Sequence, residues 1–87
     1  MDIAEKVRKA LEGLGLPNQR ITVEPSDPGK VVASVESEAF NRMPEEDRQE
    51  LVWGQLIDKL TDDDLQWIEF VFTNGLAEEE EPALSAQ

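Results

Sequence analysis

Two extended runs, Arg20-Ile21-Thr22-Val23-Glu24 and Lys30-Val31-Val32-Ala33-Ser34-Val35-Glu36, flank the segment Pro25-Ser26-Asp27-Pro28-Gly29. The first run alternates polar and apolar residues, and the second is rich in β-branched ones. Between them, two prolines fix φ and Gly29 can take φ > 0, which suits a turn that reverses the chain. The spacing predicts a β-hairpin with a five-residue loop. A chain of 87 residues buries only about two-thirds of the surface its unfolded form exposes, so one modest core must serve the whole molecule.

The segments around the hairpin read as its cover. Ile3, Val7, Ala10, Leu11 and Leu14 recur on one helical face, with Asp2 placed to cap the helix. Gly13 or Gly15 supplies its stop, and Pro17 forbids continuation. After a connector at residues 38–43, a second helix opens at Pro44, where a missing N–H costs nothing, followed by Glu45, Glu46 and Asp47, which suit the positive end of the helix dipole. Val52, Leu56 and Leu60 step down one side of it, flanked by Leu51, Trp53 and Ile57, and Gly54 in its interior is expected to permit close approach to a strand. Residues 61–64 form a short capped turn. Trp67-Ile68-Glu69-Phe70-Val71-Phe72-Thr73 then reads as a third strand.

The order helix-strand-strand-helix-strand predicts an α+β domain over residues 1–76, a three-stranded sheet with helices on one face. Residues 77–87, with Glu78 to Glu81 in a row, are too charge-dense to pack and read as an acidic disordered tail. By the two-residue period of a strand, the expected inward sets are Ile21/Val23, Val31/Ala33/Val35 and Ile68/Phe70/Phe72. The outward sets are then Arg20/Thr22/Glu24, Val32/Ser34/Glu36 and Trp67/Glu69/Val71/Thr73. The opposite phase for the third strand would bury Glu69 without a partner, at a cost of several kcal/mol.

Charge and composition remove whole classes of function. Twenty Asp and Glu stand against eight Lys and Arg, for a formal net charge of -12. Such a surface repels phosphate backbones and anionic lipids, which argues against nucleic acid and membranes. The chain has neither His nor Cys, so thiolate and imidazole are absent as metal ligands, nucleophiles and bases. No run reaches the ~20 apolar residues of a membrane span, and the amphipathic start lacks the apolar core of a signal peptide; the expectation is a soluble, cytoplasmic protein.

The remaining candidate sites are few. Asp62, Asp63 and Asp64 are hard oxygen ligands in principle, but three consecutive acids diverge and lack calcium-loop spacing, so they read as a solvated turn and not a metal site. Trp53 reads as packing and Arg48 as a tether to neighbouring acids. With the third strand in the expected phase, Trp67 and Val71 stand beside Val32 on the uncovered sheet face, a large aromatic with two β-branched neighbours that suits a protein-binding patch.

The order of elements, together with Ser37-Glu38-Ala39-Phe40 and then Arg48, Leu51, Val52, Trp53 and Leu56, resembles the BolA family of small proteins with a class II KH-like fold. The family carries a similar Ser-x-x-Phe ahead of an Arg-His and an apolar-apolar-aromatic step. Its members are associated with sharing a 2Fe–2S cluster with a monothiol glutaredoxin through a strand-opening His and a Cys or His in the hairpin loop. Here Gln49 follows the helix Arg, Gln66 stands where the strand-opening His belongs, and the loop from Glu24 to Lys30 holds neither Cys nor His. The resemblance therefore implies the fold without the cofactor. The KH likeness implies nucleic-acid binding, but the Gly-x-x-Gly clamp is absent and the second helix opens with three acids. The leading expectation is a non-enzymatic interaction domain with a protein partner, glutaredoxin-like or basic. A KH-like nucleic-acid regulator and a carboxylate- or metal-dependent enzyme are the alternatives.

Overall fold

The computed structural model describes residues 2–26 and 28–76. Helix α1 (Ile3–Glu12) leads into the antiparallel strands β1 (Arg20–Ser26) and β2 (Lys30–Glu36). A single 3-10 turn (Glu38–Phe40), helix α2 (Glu45–Lys59) and the short helix α3 (Asp62–Leu65) then carry the chain to β3 (Ile68–Asn74), parallel to β2. The sheet order is β1-β2-β3. The chain is thus α+β with a mixed three-stranded sheet, in the expected element order. The tail at residues 77–87 lies outside the described residues.

Local chemistry sets the element boundaries. The Asp2 carboxylate accepts from the Glu5 N–H at 2.9 Å and starts α1. Gly15, at φ 62°, turns the chain after it. Gln19 stitches that turn shut: its Oε1 accepts from the Leu16 N–H and its Nε2 donates to the Glu12 carbonyl, one of the acceptors a helix end leaves open. The α2 start is as expected, with Pro44 at the cap position and Glu45, Glu46 and Asp47 in the first turn. Thr61 and Asp64 cap α3 reciprocally. The hairpin is tighter than expected. Ser26 pairs with Lys30, so β1 runs through Pro25 and the strands stay paired up to that point. Proline is tolerated there because β1 is an outer strand.

The core lies between one sheet face and the helices. Val31, Ala33 and Val35 of β2 are buried against Val7, Ala10 and Leu11 of α1 and Val52 and Leu56 of α2, with Phe40 fully buried among them. Gly54 of α2, expected to meet a strand, does not: among the described residues no strand atom would come within 4 Å of a Cβ there.

The third strand departs most from expectation. Val31 pairs with Ile68, but Val32 pairs with Phe70, so Glu69 is an extra residue in β3. A β-bulge of this kind resets the alternation. Ile68 points inward before it; Val71 and Thr73, 6% and 3% exposed, point inward after it. Phe70 and Phe72, expected inside, lie on the open face, and Val71, expected outside, is core. Strict alternation in either phase therefore fails to describe β3. The bulge lets the chain bury Val71 and Thr73 while Glu69 stays exposed, its carboxylate accepting a hydrogen bond from the Ser26 hydroxyl.

Candidate protein-binding face

The inner polar residue of β3 shows why the resetting is tolerated. Thr73 is buried, and its Oγ1 accepts from Arg48 Nε at 3.1 Å. The same guanidinium donates to the carbonyls of Met43 at 2.7 Å and Phe40 at 3.4 Å, and it pairs with Glu45. Arg48 is thus more than the exposed tether expected of it: it fastens the 3-10 turn, α2 and β3 at one point. Hydrogen bonds from Arg48 first and Gln49 second hold the Glu45 carboxyl below the usual glutamate range.

Gln49 completes the join. Its Nε2 donates to the Val71 carbonyl at 2.9 Å and to Glu45 at 3.0 Å, while its Oε1 accepts from Trp53 Nε1 at 3.1 Å. The amide is consumed inside the fold, and Trp53 packs against the core as expected. Gln66, the other position of interest, ends α3 with its Nε2 toward Asp63. Neither amide offers a basic nitrogen or thiolate, so these residues do not fit an iron–sulfur cluster.

Register builds the uncovered face row by row. Glu24, Val32 and Phe70 form one cross-strand row, and Thr22, Ser34 and Phe72 form the next. The face is therefore apolar along β3 and polar along β1. Phe70 and Phe72 are 57% and 54% exposed. Their rings stack with centroids 6.0 Å apart and planes 28° from parallel. Trp67 precedes β3, 42% exposed, with its ring close to Gly29 of the hairpin turn. Of the three residues expected to form the patch, Val32 lies on this face, Trp67 stands exposed at its end, and Val71 faces the core. Phe70 and Phe72 are the ones the strict alternation missed. The signal that could have found them is the three-residue step from Ile68 to Val71 across a charged Glu69, which neither face alone accommodates.

The outer strands carry their own side-chain cover. Arg8 of α1 donates to the Ile21 carbonyl of β1 at 3.2 Å, as Gln49 of α2 does to Val71 of β3.

The acidic run at residues 62–64 is spent on structure. Asp64 takes the Thr61 N–H and pairs with Lys6 at 3.2 Å, and these contacts, the backbone one first, lower its pKa. Among the described residues no group of three or more acids is placed to hold a metal ion. A shallow groove of about 350 Å³ is lined by Lys6, Lys9, Ala10, Lys59, Leu60 and Asp64. Its lysines at positions 6 and 59 already face Asp64 and Asp58. Among the described residues no helix is long and apolar enough to cross a membrane. No protein-family model matches the sequence, and a search of curated proteins returns no match.

Proposed function

We propose that this chain is a non-enzymatic, BolA-like interaction domain without cluster ligands, which works by presenting its open sheet face to a protein partner. The observation that carries this reading is the stacked Phe70–Phe72 pair, two large aromatics more than half exposed on a face that no helix among the described residues covers. Aromatic side chains on a surface of this kind are the residue types that anchor interfaces, because each buries a large area with few rotamers to order. The absence of His and Cys and the internal use of Gln49 and Asp64 leave the domain without an evident chemical centre of its own. On this reading a glutaredoxin-like partner is held by surface complementarity alone.

Crosslinking in cells tests the proposal. A photoreactive phenylalanine in place of Phe72 should give a discrete adduct with another protein, while the same group in place of Lys9 should not. Phe70→Ser should remove the adduct with the far-UV circular dichroism unchanged. Equal yields from the two positions, an adduct indifferent to Phe70→Ser, or an adduct of twice the chain's own mass would each overturn the reading.

A further inference from the structure

Four of the five glycines have a reason inside the fold, and one has none. Gly15 and Gly29 adopt positive φ, a Cβ at Gly75 would collide with Asn41, and a Cβ at Gly13 would come within 2.6 Å of Gln55 Nε2, which donates to the Ala10 carbonyl. Gly54 lies in the interior of α2, where glycine is among the least favourable residues, yet among the described residues nothing beyond its own helix backbone would come within 4 Å of a Cβ there. Among the described residues nothing uses its missing side chain.

Leu51, Gly54 and Ile57 stand three residues apart and form one diagonal ridge of the kind that helices pack with. All three are exposed, Leu51 at 39% and Ile57 at 61%. The ridge therefore has two aliphatic shoulders and a notch between them. At about 100° per residue, Glu46, Asp47, Glu50 and Asp58 fall on the same side of the helix. All four are exposed, and Asp58 pairs with the adjacent Lys59 at 3.6 Å. A second copy would bring acid against acid, so charge selects an occupant of opposite sign.

We propose that the Leu51–Gly54–Ile57 ridge of α2 docks a partner protein's helix whose facing side carries Lys or Arg around an apolar stripe. The notch lets the two helix axes approach closely, the shoulders meet the stripe, and the flanking acids set orientation. This surface is separate from the Phe70–Phe72 face, and neither proposal depends on the other.

The probe is a helical peptide of about 20 residues with Leu and Ala at its heptad core positions and Arg beside them. Its counterpart has Glu in place of Arg. At near-physiological salt the Arg peptide should bind the full chain, and the Glu peptide should not. Gly54→Leu should raise the melting temperature by a few degrees and weaken the Arg peptide about tenfold or more. Leu51→Ser with Ile57→Ser should weaken it similarly, while Phe70→Ser should leave it unchanged. Two results would overturn the proposal. One is no binding of the Arg peptide. The other is binding that survives Gly54→Leu and the Leu51/Ile57 variant, which would be attraction to net charge alone.

Discussion

Strands β2 and β3 lie side by side, yet they specify their faces in different ways. In β2 the burial alternates without a break, with Val31, Ala33 and Val35 inside and Val32, Ser34 and Glu36 on the other face. In β3 the alternation is reset at Glu69, so Ile68, Val71 and Thr73 share the inner face and Phe70 and Phe72 the outer one. The central strand has two neighbours that hold its register, whereas an outer strand with one neighbour can absorb an extra residue locally. The lesson is that the face of an outer strand is set as much by what its inner residues must reach, here Arg48 above Thr73, as by the size of its apolar side chains.

The sharpest way to break this comparison is to place a carboxylate on each side of β3. Val71→Asp puts a charge in the core beside Ala33 and should cost about 4 kcal/mol or unfold the chain. Phe72→Asp should change stability by about 0.5 kcal/mol or less. Urea denaturation distinguishes them, and the reverse order would show that the faces are assigned wrongly.

The next largest effect is expected at the join between α2 and β3. Arg48→Ala leaves the buried Thr73 hydroxyl and the Met43 carbonyl short of a donor and should cost about 2 kcal/mol. Loss of protection should centre on β3 in hydrogen exchange, with β2 less affected.

A deletion separates the bulge from the strand around it. Removing Glu69 leaves Ile68, Phe70, Val71, Phe72 and Thr73 in regular alternation with their present facing, so the variant should fold at a cost of about 1 kcal/mol. Removing Val71 instead turns Phe72 inward and Thr73 outward, and that variant should lose its cooperative unfolding transition.

The smallest effect concerns pH. The Glu45 carboxyl has its pKa lowered in the folded chain, chiefly by Arg48. Its contribution is therefore present above the unfolded pKa and lost as pH falls through the folded value. Glu45→Gln should be less stable than the parent near neutrality, and the gap should close below about pH 4.3. A gap that stays constant through that window would remove Glu45 from the join.

Much of this architecture was legible in the residues themselves. The β-branched run at Lys30–Glu36 and the prolines around residue 27 mark the hairpin, and Pro44 with three following acids marks the start of α2. Those signals are local, so they survive without knowledge of the neighbours. The phase of β3 is not local. Both of its faces carry apolar residues, and the choice depends on Arg48, 25 residues earlier in the chain, finding Thr73. Trp67 was readable as exposed and Val32 as an open-face residue. Val71 was not readable as core, because period two without a bulge links its burial to that of Glu69. Gln19 and Gln49 were also invisible as structural ties, since an amide's partners are set by the tertiary fold.

Arg8 and Gln49 each lay a nitrogen on a main-chain oxygen of a marginal strand, and Pro25 has no hydrogen to lend to a newcomer. A sheet this small, so interrupted on either flank, offers poor footing for the strand-by-strand growth that seeds fibrils. Concentrated solutions of the protein should therefore stay clear and fail to brighten amyloid dyes, even though two phenylalanines lie bare on the adjoining surface.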